Sequence, residues 1–237
     1  MSQEIAVVAG AGPGLGWSLA ERFAAAGIQT IVAARSADKL STLMERAGDL
    51  AVQIHPRACD VTKHEDVAAL FAATAKRFGE PNLVVFNAGA FEMAGVLDIT
   101  PEAFERCWRV GCYGGFLVGQ AAARIMVALG SGTIVFTGAT ASLRGGARFA
   151  NLAVPKFGLR ALAQSMAREL GPKGVHVAHV VIDGQIESER NRHLTDQRGP
   201  DSLLPPDAIA EMYFQLHRQP RGAWTHELDL RSWVEKF

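Results

Sequence analysis

Seven short apolar runs alternate with longer segments of helical periodicity, and this alternation constrains the fold more than any other feature of the chain. The runs span residues 4–10, 29–34, 50–55, 82–87, 132–137, 175–182 and 224–230. Most are rich in β-branched residues and lack strict polar alternation, which is typical of strands buried on both faces. Strands separated by helices predict βαβ units and a parallel sheet. We therefore expect an α/β fold.

Three of the intervening helices have recognisable ends. The sequence TKHE at 62–65 predicts a capping box and a helix through residue 77. Thr100 followed by Pro101 predicts the start of a long helix that ends near residue 129. A third helix is predicted over 150–170, with a local kink at Pro155, because proline lacks the N–H that the helix needs.

The composition is that of an ordinary globular chain. Its 237 residues, 49% hydrophobic and 20% charged, suit one α/β domain with a sizeable core. We expect a single domain over residues 1–237, with a variable loop around 183–206. A formal net charge of zero predicts no nucleic-acid partner. No uninterrupted apolar run approaches the ~20 residues of a membrane helix, so no membrane partner is expected either.

Three cysteines, Cys59, Cys107 and Cys112, form neither a disulfide framework nor a CxxC pair. Reduced thiols are typical of intracellular proteins. The first residues lead straight into a predicted strand, without the basic and apolar regions of a signal peptide. These features predict a cytoplasmic location.

Three glycines, Gly10, Gly14 and Gly16, lie between the first predicted strand and the first helix, with Leu15 among them. Glycine permits a tight turn there and lets a pyrophosphate approach the backbone, where N–H groups and the positive end of the helix attract it. This placement favours a dinucleotide site. A purely structural turn that requires its glycines is the alternative.

The end of the second predicted strand selects between the two nicotinamide cofactors. An acidic residue there would hydrogen-bond the ribose 2′-OH of NAD. The sequence instead has Ala34 followed by Arg35 and Ser36. A guanidinium suits a 2′-phosphate through bidentate, charge-assisted hydrogen bonds. The pattern favours NADP(H) over NAD(H), and a solvated arginine in a helix-capping loop is the alternative.

Further motifs follow in a consistent order along the chain. Asp60 and Val61 lie in CDVT, and the NAG triplet at 87–89 ends the fourth predicted strand. The segment DGQIES at 183–188 matches a P-G-x-I-x-T pattern, with Asp183 in place of the proline. With these motifs and the glycine loop, the chain resembles the short-chain dehydrogenase/reductase family almost from end to end.

That resemblance implies a single-domain Rossmann-type fold, a doubly wound parallel sheet of about seven strands with helices on both faces. It also implies an oxidoreductase that uses NADP(H). The residues expected to contact the cofactor are Gly10, Gly14, Leu15, Gly16, Arg35, Ser36, Asp60, Val61, Asn87, Ala88, Gly89, Lys156, Gly184, Ile186 and Ser188.

The family's chemistry rests on an Asn–Ser–Tyr–Lys tetrad, in which the tyrosine transfers the carbonyl proton and the serine holds the substrate oxygen. The lysine lowers the tyrosine pKa and binds the nicotinamide ribose, while the asparagine anchors a relay water. Lys156 matches the lysine. By the family's spacing, the tyrosine position is Leu152, the serine position Ala139 and the asparagine position Gly111. Three of the four groups are therefore missing.

Lys156 is the surviving candidate for catalysis, because a lysine whose pKa falls on burial can act as an acid. A solvated helix lysine is the alternative. Other polar residues near the vacated positions are weaker candidates, since strand-end hydroxyls usually cap or are solvated. They are Thr137, Thr140, Ser142, Tyr113 and Asp183.

The remaining basic residues and histidines give no clear site. Arg144 and Arg148 suit an acidic substrate or are simply exposed. His176 and His179 are three residues apart on a strand, which places them on opposite faces. With no HxxxH or Cys/His cluster in the sequence, we expect no metal site.

Two functions stay open. One is an oxidoreductase of unusual mechanism and unknown substrate, whose proton comes from water, a hydroxyl or Lys156; losing general acid–base help typically costs 10²–10⁴-fold in rate. The other is an inactive NADP(H)-binding pseudo-enzyme that acts as a sensor or partner subunit. The resemblance also implies a homodimer or homotetramer, paired through helices at roughly 63–78 and 101–129.

Overall fold

The computed structural model describes residues 3–36 and 38–235. Its seven strands form one parallel sheet in the order β3-β2-β1-β4-β5-β6-β7. The strand order reverses between β1 and β4, and ligands of such sheets bind at this switch point, beyond the carboxyl ends of the strands. The strands are β1 (Ile5–Ala9), β2 (Gln29–Ala34), β3 (Ile54–Ala58), β4 (Leu83–Phe86), β5 (Gly132–Thr137), β6 (Val175–Asp183) and β7 (Glu227–Arg231).

Eight α-helices lie among the described residues. They are α1 (Leu15–Ala25), α2 (Asp38–Arg46), α3 (His64–Phe78), α4 (Pro101–Trp108), α5 (Gly114–Leu129), α6 (Ala150–Leu170), α7 (Leu194–Arg198) and α8 (Pro206–Arg218). A π-helical turn, Arg109–Tyr113, joins α4 to α5. Short 3₁₀ helices span Gly48–Gln53, Thr140–Ser142, Gly171–Lys173 and Arg221–Ala223.

Each face of the sheet has its own hydrophobic core. Ala6 and Val8 of β1 pack with α1, α2 and α8 on one face. Ile5, Val7 and Ala9 pack with α3, α5 and α6 on the other. Alternate residues of one strand thus enter different cores, which explains why the strands lack polar positions. The predicted doubly wound sheet of seven strands with helices on both faces is confirmed.

The third strand was predicted at 50–55, and this prediction is wrong by about four residues. Gly48–Gln53 form a 3₁₀ helix, and β3 begins at Ile54. Strand β3 is an edge strand and most of its residues are only partly buried, so it carries no apolar signal. It also contains Pro56, which an edge strand tolerates because one side of its backbone needs no partner.

The predicted capping box at 62–65 does not form. Helix α3 begins at His64 with Lys63 as its N-cap, and no side chain caps it. The hydroxyl of Thr62 instead donates to Asp60 Oδ1 at 2.8 Å. Thr100 does cap α4, accepting from the backbone N–H of Ala103 as predicted.

The continuous helix Pro101–Leu129 is long and apolar enough, by length and composition alone, to cross a membrane. In this fold its apolar residues Leu117, Val118 and Met126 are buried against the sheet. Trp108 and Phe116 on the same helix stay exposed, so packing against the sheet accounts for part of its hydropathy. Helix α6 runs from Ala150 to Leu170 with Gly171 as its C-cap, as predicted, and Pro155 lies inside it; the local kink expected at Pro155 stays a prediction.

The glycine loop between β1 and α1 turns against the end of β4. Gly10 has a φ of +97°, and a Cβ there would lie 2.3 Å from the backbone N of Ala88. The side chain of Asn87 donates to the carbonyl of Gly10 at 3.0 Å. At Gly12 and Gly14, by contrast, a Cβ would meet nothing within 4 Å. The loop is packed on one side and open on the other.

Gly10→Ala is expected to destabilise the free protein by about 2 kcal/mol or more, because the backbone must leave its left-handed conformation or push Ala88 away. Gly12→Ala is the matched control, with an expected loss below about 1 kcal/mol. Urea unfolding followed by tryptophan fluorescence measures both changes. Equal losses in the two variants would contradict the close approach to Ala88.

Candidate active site

Two adjoining cavities, of about 480 and 430 Å³, lie beyond the carboxyl ends of the strands at the switch point. They share Gly10, Gly12, Asn87 and Gly89. All of the residues predicted to contact the cofactor line one cavity or the other. The first is lined by Gly10, Arg35, Ser36, Asp60, Val61, Asn87, Ala88 and Gly89, and the second by Gly14, Leu15, Gly16, Lys156, Gly184, Ile186 and Ser188.

The first cavity contains a fixed carboxylate and an exposed guanidinium. Asp60 accepts hydrogen bonds from the backbone N–H of Thr62 at 3.0 Å and from its hydroxyl. Burial would raise the pKa of Asp60, but these hydrogen bonds and the positive charges of Lys63 and Arg35 lower it. Arg35 follows the end of β2, where no carboxylate is present, and its side chain is exposed.

The second cavity contains a buried lysine. Lys156 lies on α6 with 7% of its surface exposed. Its Nζ donates to the backbone carbonyl of Thr137 at 2.5 Å. Burial lowers the pKa of Lys156 to about 8, because a charged ammonium is poorly solvated in the interior. At neutral pH the amine is therefore protonated but close to releasing its proton.

The three vacated tetrad positions carry no hydrogen-bonding side chain. Gly111 lies in the π-helical turn, and a Cβ there would lie 3.1 Å from the Cβ of Pro155. Ala139 lines the second cavity through its methyl group and backbone. Leu152 is partly buried one turn before Lys156 on α6. Of these three residues, Ala139 lines the second cavity together with Lys156, whereas Gly111 and Leu152 are not among its lining residues.

The hydroxyl groups near Lys156 are used in structural contacts. Thr137 Oγ1 accepts from the buried phenol of Tyr213 at 3.0 Å. Thr140 donates to Asp183 Oδ1 at 2.5 Å. Ser142 Oγ accepts from the backbone N–H of Ala139 at 3.1 Å. Thr137 and Ser142 accept and Thr140 donates, so all three hydroxyls have partners within the protein.

The two other weak candidates, Asp183 and Tyr113, also have contacts within the protein. Asp183 is buried and lies 3.4 Å from the guanidinium of Arg231. The ring of Tyr113 stacks between Trp108 and Phe116, at centroid distances of 5.8 and 6.3 Å.

The two loop arginines and the two histidines of β6 considered in the sequence are not among the residues that line the two cavities. Arg144 and Arg148 lie in an exposed loop. His176 stacks on Trp224, while His179 lies close to Glu227. Among the described residues no group of three or more His, Cys, Asp or Glu side chains is arranged to hold a metal.

Two charged residues that line the cavities were missed by the sequence motifs. Arg106 of α4 lines the first cavity and donates to Glu92 at 2.6 Å. Glu187 lines the second cavity and accepts from Arg192 at 2.9 Å. Glu187 is a variable position of the 183–188 motif, and Arg106 reaches the cavity only through the packing of α4. Neither residue gives a signal in the sequence.

A family model described as short chain dehydrogenase matches residues 4–199. The solved structure of a short-chain dehydrogenase from Rhodopseudomonas palustris is 39% identical and covers 97% of this chain and 99% of its own, with a TM-score of 0.85. A metagenomic short-chain oxidoreductase solved in complex with NADP is 25% identical, covers 99% of each chain and has a TM-score of 0.85.

Among curated proteins, (+)-borneol dehydrogenase 1 from Salvia officinalis is 32% identical over 174 residues, which is 73% of this chain. The match covers 66% of that relative, just under two thirds of its length. The family match, the shared fold and the position of the two cavities at the switch point agree with one another. The chain belongs to the short-chain dehydrogenase/reductase family of oxidoreductases.

Proposed function

We propose that the protein is an NADP(H)-dependent oxidoreductase in which Lys156 takes the place of the missing tyrosine as proton donor. The observation that carries this proposal is the burial of Lys156 in the second cavity, with its Nζ on the Thr137 carbonyl. No side chain at the three vacated tetrad positions supplies an alternative acid. The substrate is unknown.

The residues present fit a nicotinamide dinucleotide. The loop is open at Gly12 and Gly14, where backbone N–H groups at the start of α1 suit a pyrophosphate. Arg35 suits a 2′-phosphate, and Lys156 suits the hydroxyls of the nicotinamide ribose. The NADP complex of the metagenomic relative supports the same cofactor. When bound, the nicotinamide supplies or accepts the hydride.

The proton chemistry follows from the environment of Lys156. An ammonium with a pKa of about 8 is a stronger acid than a phenol, whose ordinary pKa is about 10. Because Ala139 and Leu152 offer no hydroxyl to the substrate oxygen, stabilisation of a developing oxyanion falls to this one cation. Activated or conjugated carbonyl compounds, which need the least acid assistance, are therefore the favoured substrates.

The second candidate function is an NADP(H)-binding pseudo-enzyme whose output is conformational. One observation favours it: Thr137, Thr140 and Ser142 are all engaged in hydrogen bonds within the protein. If Lys156 serves only to hold the cofactor, these three hydroxyls are placed as structural contacts rather than as a replacement for the tyrosine. The two functions predict the same cofactor affinity and different turnover.

We propose a homodimer, formed through the long helix at 101–129 as the resemblance implies. Large apolar side chains lie exposed on that helix and on α6. Trp108 and Phe116 are 38% and 40% exposed, and Val154 and Phe157 on α6 are 46% and 44% exposed. The helix at 63–78, the other predicted contact, carries no large apolar residue among those exposed. This difference favours α6 as the second element of the interface.

Cofactor preference is expected to depend on Arg35. NADPH should bind more tightly than NADH, and Arg35→Asp should weaken NADPH binding at least tenfold by removing a charge-assisted contact and adding a like charge. Fluorescence titration with both reduced cofactors measures this. Arg168→Asp, an exposed arginine on α6, is the control. Unchanged selectivity in Arg35→Asp would mean that the 2′-phosphate is recognised elsewhere.

Turnover is expected to require the protonated form of Lys156. In an NADPH-oxidation screen over ketones, quinones and enones, Lys156→Met should lower kcat at least 100-fold, within the usual range for a lost general acid. For wild type, kcat should be level at low pH and fall as pH rises through about 8, because the ammonium is lost above its pKa. Lys173→Met, an exposed lysine, should leave kcat unchanged.

Two outcomes would contradict the enzymatic proposal. Turnover that survives in Lys156→Met would assign the proton to another group. If NADPH binds but is not oxidised with any substrate of the panel, the result would favour the pseudo-enzyme. The double variant Leu152→Tyr/Ala139→Ser separates the two cases, since a gain in carbonyl reduction would indicate that hydride transfer is intact.

The oligomeric state is measured by light scattering at micromolar concentration. The expected mass is twice the chain mass of 25.4 kDa. Phe116→Glu should reduce the mass to that of a monomer, because it places a charge in an apolar interface. A wild-type mass of one chain would contradict the dimer.

A further inference from the structure

A buried histidine lies behind Lys156, and the proposed function leaves it without a role. His179 of β6 is fully buried, with 0% of its surface exposed. Its Nδ1 lies 3.3 Å from Oε2 of Glu227 on β7, within ion-pair range. Among the described residues neither ring nitrogen, Nδ1 or Nε2, has a partner in hydrogen-bond geometry. A fully buried ring nitrogen without a partner is costly and calls for an explanation.

Glu227 is held rigidly against this histidine. Arg160 of α6 binds its carboxylate with two hydrogen bonds, of 2.6 and 2.7 Å. This contact is the main cause that lowers the pKa of Glu227, so the carboxylate is charged at neutral pH. Residues 179 and 227 are direct partners in the pairing of β6 with β7. The anion therefore has a fixed position beside the ring.

The carboxylate selects one tautomer of His179. Burial lowers the pKa of His179 to about 4, with the charge of Lys156 as a lesser cause, so the ring is neutral at pH 7. A neutral imidazole has one N–H, and the hydrogen bond made by one nitrogen decides the state of the other. The Glu227 carboxylate can only accept, which places the hydrogen on Nδ1. Nε2 is then a free acceptor.

That free acceptor lies against the same peptide that Lys156 contacts. A Cβ added to Gly138 would lie 2.4 Å from His179 Nε2, so only glycine leaves room for the ring. The preceding carbonyl, that of Thr137, accepts from Lys156 Nζ. The ammonium has three N–H donors, of which the Thr137 carbonyl uses one. Lys156 Nζ, which has spare N–H groups, and His179 Nε2, which has no partner, thus both lie beside the Thr137–Gly138 peptide.

We propose that His179 is the positioning residue of Lys156: its Nε2 accepts a hydrogen bond from one buried water, which in turn accepts a second N–H of the ammonium, while Glu227 and Arg160 fix the ring. His179 does not touch the substrate. It holds the amine in one orientation and stabilises its charged form in the interior. With glycine at position 111, this imidazole supplies the polar support that the missing asparagine no longer gives.

The inference deepens the proposed function, because Lys156 is its candidate acid, but the test needs no turnover. The charged or titratable groups on this side of the site are His179 on β6, Glu227 on β7 with its partner Arg160 on α6, and the Tyr213 phenol on α8, which donates to Thr137. Among these described groups, His179 is the one that lies beside the peptide whose carbonyl binds Lys156 and that has an unpartnered acceptor.

The pKa of Lys156 is measured in the free protein by NMR of ¹³C- and ¹⁵N-labelled lysine. The chain has six lysines, and Lys156→Met assigns the signal. His179→Phe removes both ring nitrogens at similar size and should lower the pKa of Lys156 by about one unit or more, because a hydrogen bond to the charged form is lost. His179→Gln, which keeps a polar group at the depth of Nε2, should restore most of the shift.

His176→Phe is the matched control, since it removes another buried histidine from the same strand while keeping the stack on Trp224. It should leave the pKa of Lys156 unchanged. If His179→Phe fails to fold, His179→Asn replaces it, because asparagine reaches only the depth of Nδ1 and should lower the pKa where glutamine does not. An unchanged pKa in His179→Phe, or equal values for Asn and Gln, would overturn the proposal, whether or not the protein turns over a substrate.

Discussion

The close approach of Gly10 to Ala88 is the contact on which the site depends. It brings the loop after β1 against the end of β4, at the point where the strand order reverses. With the inner side of the loop packed, its backbone N–H groups face outward at the start of α1. Both cavities share this corner through Gly10 and Asn87. The two cavities, and with them the proposed phosphate and hydride sites, are thus arranged around one contact between two backbones.

The buried ammonium of Lys156 destabilises the fold, because removing a charge from water costs free energy that packing alone does not offset. Here one carbonyl, that of Thr137, meets the charge directly, and burial still lowers the pKa to about 8. The same desolvation that makes the lysine unfavourable for folding makes it a usable acid near neutral pH. Desolvation is thus the common cause of the free-energy cost of burying Lys156 and of its proposed role as an acid.

The sequence predicted those features whose signal is local. Runs of β-branched residues indicate strands buried on both faces, and the spacing of the glycines after β1 indicates the loop. The edge strand β3 was misplaced because it is half-exposed and contains Pro56. The contact of Glu227 with Arg160 joins residues 67 positions apart, and it exists only because β7 pairs with β6 in one register. No local pattern encodes such a contact.

Two of the three predicted tetrad positions have contacts of their own within the protein. An asparagine at 111 would bring its Cβ within 3.1 Å of the Cβ of Pro155, so a side chain there requires Pro155 to shift. The backbone N–H of Ala139 donates to Ser142 Oγ. Ala139 also faces the second cavity, where Lys156 is the one cation among the described lining residues. The chemistry proposed for that cavity therefore depends on Lys156 and on the groups that hold it.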